Sequence, residues 1–178
     1  MLLEHLNEPT WWIGAILVLG FFFAMWRMAR KPKRIALNWD YCYDYVSEPL
    51  AGANPKLAES FADMLAEIPE GARAELHLIR VAAMNRGALG IQAQDHLRPL
   101  TVAFPEGTRL IDAAFVEVFG TDPETPPTLM KYERGIEITP FDLPTNCAMV
   151  FQLIVHGGGK PSYIDGGIEG QKAIRKLL

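Results

Sequence analysis

Gly157-Gly158-Gly159-Lys160 is the stretch of this 178-residue chain that most invites a chemical reading, as a phosphate-binding loop. That chemistry needs a glycine five positions before the Gly-Lys pair and a Ser or Thr after the lysine. Successive backbone N–H groups then cradle the phosphates and the hydroxyl holds magnesium. Here Ile154 and Pro161 stand at the two deciding positions, so a hairpin or exit loop is expected instead. Gly166 to Gly170 lacks the first glycine of a dinucleotide fingerprint and has no βαβ setting. The histidines are His5, His77, His96 and His156, and no pair has the helical spacing of metal ligands. Asp95-His96, with Cys42 or Cys147, is the one combination that could activate a thiol, although solvated loop residues explain Asp95-His96 as well. No serine lies in a Gly-x-Ser-x-Gly elbow, and the carboxylates are scattered in the manner of a solvated acidic surface. The expectation is a non-catalytic protein with no cofactor and no metal needed for folding.

The elements around these residues carry more information. Trp11 to Trp26 is a run of sixteen residues without a charge, with tryptophan at both ends. As a helix it covers roughly 24 Å, and its flanks extend it toward the ~30 Å hydrocarbon core. A transmembrane helix is therefore predicted over residues 11–29, after an external tail of residues 1–10. Trp11, Trp12 and Trp26 would be anchors at headgroup level, and Phe21, Phe22 and Phe23 would face lipid or a neighbouring surface. Glu4 and Glu8 precede the run; Arg27, Arg30, Lys31, Lys33 and Arg34 follow it. Short-loop cations stay on the cytoplasmic side, so the N-terminus is expected outside and residues 35–178 in the cytoplasm, at the inner membrane. The basic collar of residues 30–34 also sits where it would meet anionic lipid. A cleaved signal peptide would need a basic segment before the apolar run and small residues after it, and this chain has neither. No ionisable residue lies within the run, so it offers no proton relay or ion site.

The chain has 21 acidic and 17 basic residues. Two of the former and five of the latter precede residue 35, which leaves 19 acidic and 12 basic residues and a net charge of −7 for residues 35–178. An acidic domain with no basic patch of its own repels a phosphate backbone, so nucleic acid is not an expected partner. Two cysteines make no disulfide framework and suit a reducing compartment.

From Ile35 to Val46 polarity alternates strictly, with Trp39, Tyr41, Tyr43 and Tyr45 on one face and Asn38, Asp40, Cys42 and Asp44 on the other. That is a strand. Its aromatic face either packs into a core or meets a partner subunit or headgroups, and three tyrosines in a core would need hydroxyl partners. Ser47 to Ala53 reads as loop. Asn54-Pro55 opens an amphipathic helix with Leu57, Phe61, Met64, Leu65 and Ile68 as its apolar stripe, stopped by Pro69 and Gly71. Strands are expected over Glu75 to Met84, around Leu100 to Phe104, over Leu129 to Thr139 and over Ala148 to His156. Leu110 to Phe119 is ambiguous and favours strand, and Gly120 to Thr128, with Pro123, Pro126 and Pro127, is an irregular loop. About six short strands separated by Pro/Gly turns predict a mainly β fold: an Ig-like β-sandwich with one amphipathic helix behind a transmembrane helix.

Asn85-Arg86-Gly87, then Asp95-His96-Leu97-Arg98-Pro99-Leu100, then Gly166-Gly167-Ile168-Glu169-Gly170 occur in this order over roughly residues 74–178. This arrangement resembles uncharacterised bacterial single-span, membrane-anchored β-sandwich domain proteins. Those domains usually have a Pro-Gly-Asp turn before the last long strand, where this chain has Leu143-Pro144-Thr145-Asn146. The resemblance implies a tethered sandwich and no catalytic residues. The functional expectation is an accessory subunit of a larger integral-membrane complex, a photosynthetic or respiratory assembly being the favoured example. Its partners would be integral-membrane subunits and membrane lipid. The alternative is a free-standing tethered module that recruits a soluble partner; an enzyme of unknown type is third.

Overall fold

A computed structural model describes residues 39–53, 59 and 61–177. The apolar run of residues 11–29, the basic collar of residues 30–34 and the expected helix start at Asn54-Pro55 lie outside the described residues. Among the described residues no helix is long and apolar enough to cross a membrane.

The fold is mainly β, in two sheets. Among the described residues nine strands follow one another: β1 (Tyr41–Pro49), β2 (Leu76–Asn85), β3 (His96–Ala103), β4 (Arg109–Phe119), β5 (Leu129–Tyr132), β6 (Gly135–Ile138), β7 (Cys147–His156), β8 (Tyr163–Ile168) and β9 (Arg175–Lys176). One sheet has the order β4-β7-β2-β1-β9 and the other β5-β6-β3-β8. All pairings are antiparallel except β1 with β9. The period-two alternation explains the layering. On β2, Ile79, Val81 and Ala83 face the core, and on β7 Met149, Phe151, Leu153 and Val155 do the same. Leu100 and Val102 on β3 and Ile136 and Ile138 on β6 meet them from the second sheet. Each Val, Leu, Ile, Met or Phe among them contributes about 1.5–3 kcal/mol when removed from water.

Aromatic rings link the two layers. Tyr41 stands edge-on to His96 at 5.6 Å, His96 tilts over Phe141 at 5.1 Å, and Phe141 meets Phe151 at 6.1 Å. Centroid spacings in this range favour the edge and tilted geometries of aromatic pairs.

Several expectations are corrected. β1 runs on through Ser47 to Pro49, where a loop was expected. Pro49 ends the strand, and β9 covers β1's outer side only at Cys42 and Tyr43, so the missing N–H breaks no ladder there. Leu129 to Thr139 is a hairpin, β5 and β6, rather than one strand. Its turn, Glu133-Arg134, has no Gly, Pro or Asn to announce it. The glycine comes next: a Cβ on Gly135 would lie 2.3 Å from the Val102 carbonyl oxygen, so only glycine lets β6 sit this close to β3. The expected single amphipathic helix is, in its described part, two short ones, Ala62–Ala66 and Glu70–Arg73. Pro69, expected as a stop, caps the start of the second. Phe61, Met64, Leu65 and Ile68 do form an apolar stripe, packed against Leu76, Leu78 and Ile154.

The two motif turns have physical roles. The Asn85 side chain is fully buried; its amide donates to the carbonyls of Leu89 (2.8 Å) and Leu143 (3.0 Å), and its oxygen accepts from the Gly87 N–H (2.9 Å). At the second turn Cys147 N–H donates to the Pro144 carbonyl at 3.2 Å, with Asn146 at φ 57°. Asparagine tolerates that left-handed conformation better than most residues, so it takes the place a glycine would otherwise hold.

Candidate interaction surface

The outward-facing side chains of the five-stranded sheet form three rows across β1, β2, β7 and β4. They are Cys42–Met84–Ala148–Phe119, Asp44–Ala82–Val150–Glu117 and Val46–Arg80–Gln152–Ala114. Beyond them Leu78 and Ile154 lie beneath the Phe61–Ile68 segment, which also covers Ala114. Thus, among the described residues, one end of this outer face is roofed and the other is not. On the open end Val46 is 61% and Phe119 51% exposed. A groove of about 420 Å³ runs between them over Ala82 and Val150. Asp44, Glu48 and Arg80 border it, and Glu117 holds the Arg80 guanidinium at 3.6 Å. An apolar strip edged by charges is the pattern of a contact surface. Among the described residues Arg80 Nε, at the groove, and Gln152 Oε1, next to Arg80 in the same row, are buried without hydrogen-bond partners.

The aromatic row of β1 has a divided fate. Tyr41 lies wholly in the core at 0% exposure, the first of the two fates open to this face. Among the described residues its buried hydroxyl has no hydrogen-bond partner, and burial pushes its pKa far up. Trp39, Tyr43 and Tyr45 are half-buried against the same core, which leaves part of each accessible. The Lys176 ammonium sits 4.9 Å above the Tyr45 ring. β1's start is sealed by Gln171, whose amide oxygen accepts from Tyr41 N–H (2.9 Å) and whose nitrogen donates to the Tyr41 carbonyl (2.6 Å). This sealing protects an edge that would otherwise pair with other chains.

Asp95, His96 and the cysteines are not brought together. His96 faces Tyr41 inside the sandwich. Neighbouring residues on a strand point to opposite faces, so Cys42 points away from His96. Burial and the nearby Asp40 carboxylate raise the Cys42 thiol's pKa, the reverse of what a nucleophile needs. Cys147 accepts the Thr121 N–H at 3.1 Å and so ties the 120s loop to β7. Asp95 accepts from the Gln92 N–H at 2.8 Å in a short capping turn. Gly157 to Lys160 is the loop that leaves β7, with Thr108 donating to the Gly158 carbonyl at 3.3 Å. Among the described residues no three His, Cys, Asp or Glu side chains are placed to hold a metal ion. The anchor residues Trp11, Trp12, Phe21, Phe22, Phe23 and Trp26 and the cations Arg27, Arg30, Lys31, Lys33 and Arg34 lie outside the described residues.

His96 should make the fold's stability depend on pH. Its Nε2 donates to the Phe141 carbonyl at 3.0 Å, because a carbonyl only accepts; Nδ1 is then a bare, buried acceptor. Burial lowers the pKa, partly offset by that bond and by the Asp95 and Asp142 carboxylates. The unfolded chain therefore takes up this proton first. The stability contributed by neutral His96 is complete above about pH 6.5 and is lost as pH falls through the window below it. Urea unfolding at pH 7.5 and 5.5 should show a lower midpoint at 5.5. His96→Gln, which keeps a donor, should remove most of that difference.

A comparison with protein-family models and with curated protein sequences finds no match for this chain.

Proposed function

We propose that the chain is a non-catalytic accessory subunit of a larger integral-membrane complex. One N-out helix, residues 11–29, anchors it, and a cytoplasmic sandwich of immunoglobulin-like build makes the subunit contacts. The apolar run with its tryptophan borders and one-sided collar supports the anchor and its orientation. The observation that carries the contact role is the half-roofed outer face of the five-stranded sheet, with Val46 and Phe119 open to solvent. Trp39, just before β1, and Tyr43 and Tyr45, on the core-facing side of β1, add partly exposed aromatic surface of their own.

The test is isolation of the full-length chain from membranes in mild detergent, alongside a Val46→Ser/Phe119→Ser double variant. The native chain should bring down an integral-membrane protein in a fixed ratio, and the double variant at least about tenfold less, as expected for loss of two central apolar contacts. Both side chains are exposed, so the melting temperature should shift by no more than about 2 °C. A soluble protein in a fixed ratio would favour the tethered recruitment module instead.

A further inference from the structure

The outer face of the second sheet holds a separate feature. The register aligns Tyr132, Gly135, Ala103 and Tyr163 in one row across β5, β6, β3 and β8. The two tyrosines end the row, each 54% exposed, and the two residues between them are the smallest available. The result is a trough of about 570 Å³ with a tyrosine at each end and a floor of main chain. Three strand spacings of about 4.8 Å put the tyrosine Cα atoms roughly 14 Å apart. Glu137 lies in the next outward row, and Glu106 and Glu133 stand on the turns beside the trough. Among the described residues none of these three carboxylates is paired with a cation, and the trough's only other charge is Arg134.

We propose that this trough binds an extended, proline-containing basic segment of a partner protein. Exposed tyrosine rings present flat apolar surface with a polar edge, and such surfaces grip the ridged polyproline II helix, which is already ordered before it binds. At about 3.1 Å per residue, a segment of about five residues reaches from one ring to the other. Three unpaired carboxylates against one guanidinium select cations on the segment and reject phosphorylated or acidic ones. The same charges disfavour nucleotides, and a neutral saccharide would leave the carboxylates' charge unanswered. The inference rests on reading the domain as a contact module. It adds a second surface, on the opposite sheet from Val46 and Phe119, so the domain can bridge two partners.

The probe is a labelled peptide of three Pro-Pro-Arg repeats, roughly 28 Å long in polyproline II form, titrated into the full-length protein in mild detergent and read by fluorescence anisotropy. Saturable binding is expected. Tyr132→Ala and Tyr163→Ala should each weaken it about tenfold. A Gly-Ser-Arg peptide of equal charge should bind at least about tenfold more weakly, because it keeps the charge and loses the ordered ridge. The Val46→Ser/Phe119→Ser variant should bind the peptide as the native chain does, which separates failure of this site from failure of the anchored-subunit reading. No binding would overturn the proposal. So would tyrosine variants that bind unchanged, a control peptide that binds equally well, or a neutral oligosaccharide that takes the trough in preference to the peptide.

Discussion

Tyr41→Ala should destabilise the sandwich by about 3–5 kcal/mol, the usual cost of deleting a large aromatic from a core. The ring is fully buried, it abuts His96, and His96 in turn supports Phe141 against Phe151. Removing it leaves a void between the sheets where β1, β3 and β7 converge. For a chain of this size the loss corresponds to a fall in melting temperature of roughly 10 °C or more. Tyr41→Phe should behave in the opposite sense. The hydroxyl is buried with no partner among the described residues, so its removal loses no hydrogen bond to them and relieves a desolvation cost. The phenylalanine variant should be as stable as the native chain or up to about 1 kcal/mol more stable. Chemical denaturation of both variants separates ring from hydroxyl; a Phe variant that loses more than about 1 kcal/mol would mean that the hydroxyl has a partner.

Asn85 carries the second large effect. Its side chain satisfies three backbone groups at once: the carbonyls of Leu89 and Leu143 and the N–H of Gly87. Leu143 is 58 residues away, so this one amide joins the β2–β3 connection to the segment that leads into β7. Each buried group left without a partner costs about 1–3 kcal/mol. Asn85→Ala should therefore cost roughly 3 kcal/mol or more. Asn85→Asp should be worse at neutral pH despite its matching shape, because a carboxylate cannot donate and would face two carbonyl oxygens in a buried site. The order native, Ala, Asp in urea midpoint is the expected outcome, with the Asp variant partly recovering at low pH as its carboxyl takes up a proton and can again donate.

How much of this was legible beforehand varied with how local the cause was. β3 and β7 follow from alternation and β2 from its apolar run, β4 falls on the stretch that was ambiguous between strand and helix, and the stripe Phe61, Met64, Leu65 and Ile68 packs as its spacing implies. Asn85 was legible as a turn residue, but its bond to Leu143 depends on how distant strands assemble. The β5–β6 hairpin was not legible, because the constraint that produces it is the approach of Gly135 to the Val102 carbonyl, a tertiary contact. β9 consists of two residues and exists through its pairing with Cys42 and Tyr43. Nothing in the sequence marks Tyr132 and Tyr163 as a pair. They are 31 positions apart and share a row only because the strand order is β5-β6-β3-β8. The fate of Tyr41 was open for a sound reason: a buried hydroxyl is expected to have a partner, and here the core accepts one without it.

The open half of the five-stranded sheet is the surface we propose as the subunit contact. Site-specific photo-crosslinking in intact cells tests it most directly, with the reactive group placed at Val46 or, as a control, at the exposed Glu169. Position 46 should give one dominant adduct with an integral-membrane protein, and position 169 none. No adduct at position 46, or the same adducts from both positions, would contradict it.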